Sequence, residues 1–210
     1  MTPATIIEQV RRLIQDEVSP FRYSDTMLLG FVNQVLKRMA MVRPDLFIDS
    51  GNIPTTQDSA YQTLPSNGAV LVEIFGVAGG AAIEEVDRDL LNRTDPNWIN
   101  ATSGTPKKYV RNTRNRRSFF LYPRPQFGVQ LVAEYSVVPS DYTINQTILQ
   151  PSQEFFPAIV DGTVFLAEAI DNEHVDTGRA KLFLDSFTSA LGISGQARVL
   201  TDREDGGSNA

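Results

Sequence analysis

The sequence contains no cysteine, and it has only one histidine and one tryptophan. The lack of cysteine excludes disulfide bonds, thiolate nucleophiles and thiolate metal sites. A serine-hydrolase triad would have only His174 as its base, and no Gly-x-Ser-x-Gly motif occurs. Phosphate-binding loops of the Gly-x-x-x-x-Gly-Lys type and dinucleotide-binding fingerprints are also missing. These absences argue against most common enzyme classes and predict no bound cofactor.

Long apolar runs are absent as well, because no stretch approaches the roughly 18 apolar residues that span a bilayer. The first ten residues lack the basic and apolar regions of a secretory signal, so we expect synthesis in the cytoplasm of the producing cell and no membrane partner. The chain of 210 residues is long enough to bury a sizeable core. Its net charge of -6 does not suit a protein that coats nucleic acid over its whole surface.

Helical periodicity dominates both ends of the sequence. Near the N-terminus, apolar residues from Ile6 to Ile14 fall on one helical face, with Pro3 in the first turn. Ser24 is placed to cap a second helix, whose apolar stripe runs from Leu28 to Val42 before Pro44. Two further helices are predicted by the apolar stretch 155–170 and by a stripe from Ala180 to Leu191, with Gly192 suited to end the last one.

The sequence pattern in the middle of the chain predicts β structure. Short strands are predicted at 61–64, 70–75, 82–86, 109–111, 118–122 and 129–138, and the strand 82–86 is interpreted as the hairpin mate of 70–75. The predicted fold class is therefore α+β. An antiparallel helical bundle would form from residues 1–48 and 151–192, with an inserted, mostly antiparallel β domain at 49–150. Residues 193–210 are polar and Gly-rich, which predicts an extended or disordered tail.

A basic segment lies inside the β region, and it has two interpretations. Between Thr105 and Pro125 it holds seven cations and no acid: Lys107, Lys108, Arg111, Arg114, Arg116, Arg117 and Arg124. Interleaved aromatics, among them Phe119 and Phe120, would allow binding of single-stranded nucleic acid by charge and stacking over 107–124. Consecutive strand residues point to opposite faces, however, so at least one of the two phenylalanines belongs to the core. A basic strip on an acidic protein favours a contact between subunits or with a partner protein.

An interpretation of the chain as an enzyme has weaker support, which comes from a group of acidic residues. Glu84, Glu85, Asp87 and Asp89 lie close together, which could suggest a hard-cation site, with His174 as a possible further group. Such a run is more often a solvated strand end that leads into a helix N-terminus, where carboxylates suit the helix dipole. A histidine between two helices is usually an exposed loop residue. We therefore predict no metal site and no catalytic residue.

The order of several short motifs resembles the head-to-tail adaptor proteins of tailed bacteriophages, especially short-tailed ones. The resemblance covers residues 4 to about 192 and excludes the loop 112–117 and the tail. Its motifs are the opening helix ATIIEQVRRLIQD from Ala4, RYSD from Arg22 with LL and FVN soon after, RPD from Arg43, VDRDLL from Val86, DPNW from Asp95, TPKKY from Thr105 and FLYPRP from Phe120.

This resemblance implies a structural protein of the virion at the portal vertex, at the interface of head and tail. It would form a ring of about twelve copies of itself beneath the portal protein. The ring would extend the channel for genome DNA without specific binding, and would meet tail nozzle or tail fibre proteins.

The resemblance also implies roles for groups of residues. It makes Trp98, Pro106, Tyr109, Tyr122 and Pro123 framework residues of the β domain. It makes the C-terminal tail a portal-docking segment, for which the candidates are Arg198, Val199, Leu200 and Arg203. The charge pattern, and not the resemblance, gives the candidates for an intersubunit or tail interface: Lys107, Lys108, Arg111, Arg114, Arg116 and Arg117.

Overall fold

The computed structural model describes residues 1–170 and 177–192. It divides into two compact units, Met1–Arg43 with Ser140–Ala210, and Pro44–Pro139. The helices in chain order are α1 Pro3–Leu13, α2 Asp25–Val42, α3 Arg88–Thr94, α4 Phe156–Glu168 and α5 Thr177–Ala190. The strands are β1 Ile48–Pro54, β2 Tyr61–Thr63, β3 Gly68–Val77, β4 Glu84–Glu85, β5 Lys108–Arg111, β6 Ser118–Tyr122 and β7 Gln130–Val137. Over the described residues the protein is of mixed α+β class with mostly antiparallel sheets, as predicted.

The first unit is helical, and local sequence signals set its boundaries. Thr2 and Thr5 form a capping box at the start of α1, with Pro3 at the first helical position. The Ser24 side chain accepts a hydrogen bond from the Met27 amide at the start of α2, as predicted. The predicted stripe of α2 is correct for Leu28, Val32, Val35 and Met39, which are buried, but wrong for Val42, which is about half exposed at the helix end.

Helix α4 is the central element of this unit, because it contacts α1, α2 and α5. Its buried residues lie on nearly all sides, as the continuous apolar stretch predicted. A Cβ added at Gly162 would lie 3.0 Å from side-chain atoms of Val35 and Phe187, so the glycine lets its neighbours approach closely. Gly192 follows α5 with φ of +72°, as expected of a glycine that ends a helix.

Two glycines in helices provide a matched test of this packing. We expect Gly30→Ala to raise the free energy of unfolding by about 0.5–1 kcal/mol, because alanine is the better helix former and nothing lies within 4 Å of the new Cβ. Gly162→Ala gains the same propensity but crowds Val35 and Phe187, and overpacking costs about 1–3 kcal/mol. Urea unfolding of both variants checks this. Equal stabilisation by the two substitutions would contradict the close packing at Gly162.

The second unit consists of two sheets. One has the strand order β1-β7-β3 and is antiparallel throughout, and the other has the order β2-β6-β5-β4. Their shared core contains Ile74, Leu131 and Tyr135 from the first sheet and Tyr109, Phe119 and Leu121 from the second. The outer side of the second sheet carries a separate cluster of Ala60, Val86, Leu91, Trp98 and Val110. The predicted inward face of β7 is therefore correct, and Phe119 and Phe120 do lie on opposite faces of β6.

The structure differs from the predicted strands in two places, one wrong pairing and one missed strand. The segment 82–86 is not the hairpin mate of β3, because after a single bridge between Gly76 and Ala82 the chain leaves that strand. Its residues Glu84 and Glu85 instead pair in parallel with β5. Strand β1 was not predicted, because its sequence IDSGNIP is poor in β-forming residues. Its pairing with β7 over the whole of β1 overrides that weak propensity.

Candidate functional site

The basic segment folds as a hairpin of β5 and β6 joined by an exposed tip, residues 112–117. The tip is held by short-range hydrogen bonds from asparagine side chains. Asn112 accepts from the Arg114 amide at 3.2 Å, and Asn115 accepts from the Arg117 amide at 3.1 Å. The Asn112 side chain also donates to the Ser118 hydroxyl at 2.9 Å. The cations of the tip are therefore presented by an ordered turn.

Arg111 is engaged inside the β unit. Its Nε donates to Glu85 at 2.7 Å, its Nη1 donates to the Leu71 carbonyl at 2.8 Å, and its Nη2 donates to the Val72 carbonyl. The hydrogen bond from Arg111 is the main cause that lowers the pKa of Glu85, against the opposing effect of burial. Because these bonds join β5 to a strand of the other sheet, Arg111 links the two sheets and has little free capacity for a phosphate.

Tyr109 shares this network. Its hydroxyl donates to the second oxygen of Glu85 at 2.6 Å. Burial, followed by this hydrogen bond to a carboxylate, raises the pKa of Tyr109 to about 12. Glu85 therefore accepts from both Tyr109 and Arg111, and it has no geometry of a metal ligand or a free general base.

Two more arginines of the segment hold loops of the same unit. Arg117 donates to the carbonyls of Pro65 and Ser66, both at 3.2 Å. Arg124 donates through Nε to the Ala101 carbonyl at 2.7 Å and through Nη1 to the Asp58 carbonyl at 3.3 Å. Backbone carbonyls accept hydrogen bonds from both guanidinium groups, so these two residues stabilise the loops of the β unit.

Four cations remain available to a partner: Lys107, Lys108, Arg114 and Arg116. No hydrogen bond or ion pair within the described residues involves their side chains, and all but the half-buried Lys108 are exposed. Arg116 also lines a cleft of about 320 Å³ beside the tip, together with Val70, Asn112 and Thr113. The structure thus divides the predicted interface residues into a structural pair, Arg111 and Arg117, and a set of accessible cations.

Three aromatic side chains of the segment, Tyr109, Phe119 and Phe120, are engaged within the protein. Tyr109 and Phe119 are buried. Phe120 meets Trp98 and Tyr61 edge-on, with ring centroids 5.8 Å and 5.6 Å away, and the Arg88 guanidinium lies 4.8 Å above its ring. Base stacking on Phe120 would require these neighbours to move, which weighs against single-stranded nucleic acid as the ligand of 107–124.

Of the predicted framework residues, Trp98 and Tyr122 lie beside this aromatic group, and Tyr109 belongs to the core shared by the two sheets. Trp98 is 1% exposed and donates from its indole nitrogen to Asn92 at 2.8 Å. The Tyr122 hydroxyl donates to Asp95 at 2.9 Å, and this hydrogen bond is the main cause that raises the pKa of Tyr122. Pro106 is buried and Pro123 is half-buried, following a cis peptide bond. The DPNW and FLYPRP motifs are therefore in direct contact through Asp95 and Tyr122.

The acidic residues do not converge on a metal site. Asp87 caps α3 by accepting from the amides of Asp89 and Leu90, and Glu85 is engaged as described above. Among the residues that the structure describes, no group of three or more histidine, aspartate or glutamate side chains is placed to hold a metal ion. His174 lies outside the described residues.

The predicted portal-docking residues Arg198, Val199, Leu200 and Arg203 also lie outside the described residues. The point where their segment begins is fixed, because Arg43 at the end of α2 donates to the Leu191 carbonyl at 2.9 Å. Sequence reasoning missed this contact, which joins residues far apart in the chain.

Comparison with known proteins gives one family. The family model described as "SU10 adaptor protein" matches residues 1–209. A search among curated proteins returned no match. A helix long and apolar enough to cross a membrane does not occur in the described part of the chain.

Proposed function

Since this chain belongs to the SU10 adaptor protein family, a family of bacteriophage head-to-tail adaptors, we propose that it forms a ring between the portal and the tail. Membership of the family places the protein in the virion and in contact with other head and tail proteins. A heterologous interface that closes on itself would generate such a ring, and we expect about twelve copies so that the ring matches a twelvefold portal. The ring would extend the DNA channel from the portal to the tail nozzle. The family match over 1–209 is the observation that carries this function.

We assign a part to each segment of the chain. Residues 1–48 and 151–192 would form an antiparallel bundle that packs around the ring. The inserted domain, residues 49–150, would meet nozzle or fibre proteins. Residues 193–210 would dock on the portal through Arg198, Val199, Leu200 and Arg203. The side chains of Trp98, Tyr109 and Tyr122 support a structural role for the β unit, because each donates a hydrogen bond to another side chain of that unit.

The charge distribution supports passage of DNA without capture. The net charge of -6 gives a surface that repels phosphates on average. Of the seven cations of the basic segment, Arg111, Arg117 and Arg124 are bound to backbone carbonyls, and only Arg114 and Arg116 have accessible side chains at the hairpin tip. A non-enzymatic, structural protein fits these facts better than a nucleic-acid-binding domain or a metalloenzyme.

The direct test is the mass of the protein by light scattering, alone and mixed with the purified portal ring of its phage. We expect a portal-bound complex with about twelve added copies. If the protein does not bind the portal but binds single-stranded DNA in a salt-dependent way, the proposal is wrong and nucleic-acid binding is favoured instead. Enzymatic turnover that depends on a bound metal would likewise contradict it.

Deletion of residues 193–210 tests the docking segment. We expect the truncated protein to keep its helical circular dichroism, because α5 ends at Ala190 and Arg43 holds the Leu191 carbonyl. It should no longer bind the portal. A quadruple variant with Arg198, Val199, Leu200 and Arg203 replaced by serine serves as the matched control for length. Full portal binding by the truncated protein would show that the tail is not the docking segment.

A further inference from the structure

The three-stranded sheet β1-β7-β3 has an outer face opposite the core that it shares with the other sheet. Leu131, Ala133 and Tyr135 of β7 point into that core. By strand alternation Val132 and Glu134 point away from it. Glu134 is in register with Glu73 of β3 on one side and with Ser50 of β1 on the other. This outer face therefore carries two carboxylates side by side.

Like charges directly opposite each other destabilise a sheet, so this arrangement needs a reason. Neither Glu73 nor Glu134 has an ion-pair partner among the described residues, and the strand positions of this face supply no lysine or arginine. Two apolar side chains at bulges of β3, Val72 and Phe75, are 37% and 42% exposed beside the carboxylates. An apolar surface with unpaired acids fits a partner that brings cations.

The same unit displays such cations at its exposed hairpin tip. The tip 112–117 joins two strands of the other sheet, which packs against the inner face of β1-β7-β3. Its Arg114 and Arg116 are exposed and have no partner in the described structure. The tip lies beside the edge of β3, where the Leu71 amide donates to the Arg116 carbonyl at 3.0 Å. Basic tip and acidic face are therefore two different surfaces of one unit, as the two halves of a heterologous interface are.

We infer that the hairpin tip of one copy docks on the outer face of β1-β7-β3 of the next copy, with Arg114 and Arg116 facing Glu73 and Glu134. The occupant of the sheet face is thus a second copy of this chain. The inference rests on the ring of the proposed function and specifies which surfaces close it. The cleft lined by Arg116 and Val70 gives an acidic side chain of the neighbour room to enter beside the tip.

Charge reversal distinguishes this specific contact from a general effect of net charge. The tip variant is Arg114→Glu with Arg116→Glu, and the face variant is Glu73→Lys with Glu134→Lys. Each alone places like charges together at every interface, so we expect at least about tenfold weaker assembly on the portal. Mixed one to one, the two variants should assemble as an alternating ring, because the tip of each is complementary to the face of the other. The quadruple variant should assemble alone.

Control variants separate this inference from the proposed function. Arg38→Glu with Arg93→Glu changes the net charge equally outside both surfaces and should assemble like the wild type. If the wild-type protein does not assemble on the portal, the proposed function fails. If it does, and either single-surface variant also assembles normally, or if neither the mixture nor the quadruple variant recovers assembly, the tip-to-face contact is wrong.

A second measurement does not depend on how well the charge variants fold. Because the chain has no cysteine, Arg114→Cys with Glu73→Cys introduces the only thiols of the protein. Mild oxidation of assembled rings should yield a ladder of linked copies on a non-reducing gel. Phe127→Cys with Glu73→Cys is the control, because Phe127 lies in the connection at the other end of β6. A ladder from the control alone would overturn the inferred contact.

Discussion

Replacing Trp98 with alanine is expected to lower the free energy of unfolding by about 3 to 5 kcal/mol, the usual cost for a fully buried large aromatic side chain. Trp98 is 1% exposed, and it packs with Val86, Leu91 and Val110 under the second sheet. The substitution opens a cavity there and leaves the Asn92 side chain without its indole donor. It also removes the edge contact with Phe120.

Chemical denaturation followed by circular dichroism measures this loss. Fluorescence does not serve, because Trp98 is the only tryptophan of the chain. Phe127→Ala is the matched control, since Phe127 is 85% exposed and its truncation should change stability by less than about 0.5 kcal/mol. A change below about 1 kcal/mol for Trp98→Ala would mean that the residue is not part of the framework.

Arg11→Ala is expected to cost about 3 kcal/mol or more, because removing one partner of a buried ion pair leaves the other charge uncompensated. The guanidinium of Arg11 bonds Asp16 at 2.7 Å, Asp25 at 2.6 Å and the Tyr23 carbonyl at 2.8 Å. Asp16, only 6% exposed, also accepts from the Arg22 amide at 2.6 Å. The network thus ties the end of α1 to the start of α2.

The neighbouring residue offers the control. Arg12 pairs with Glu8 and, at 3.9 Å, with Glu17, but its side chain is 57% exposed, and exposed pairs contribute about 0.2–1 kcal/mol. We expect Arg12→Ala to be nearly neutral in thermal and urea unfolding. Equal effects of the two substitutions would show that the buried network does not hold the connection between α1 and α2.

The two substitutions with the largest expected losses of stability thus differ in whether the sequence alone reveals the role of the residue. Trp98 was singled out in the sequence as part of an ordered series of motifs. Arg11 is one of two adjacent arginines in the last turn of α1, and Asp16 follows the end of that helix. Nothing local distinguishes Arg11 from Arg12, because burial depends on how α1 meets the segment 16–25.

The same distinction applies to the basic segment. Its composition predicted a strip of interface cations, yet the contacts divide it into arginines that hold carbonyls, such as Arg111, and cations that remain accessible, such as Arg114. Which of them are occupied depends on the strands and loops that lie opposite, and these come from distant parts of the chain.

The sequence by itself determined what depends on neighbouring residues. It predicted α1, α2, α4 and α5 by periodicity, the Ser24 cap, the strands β5 and β6, and the division of Phe119 and Phe120 between two faces. The order of its motifs also indicated the adaptor family. Only the tertiary structure decided the strand β1, the parallel pairing of β4, the Arg11–Asp16 pair and the opposition of Glu73 and Glu134. These features arise from contacts between residues far apart in sequence, whose free energy outweighs the local propensities that a reading of the chain detects.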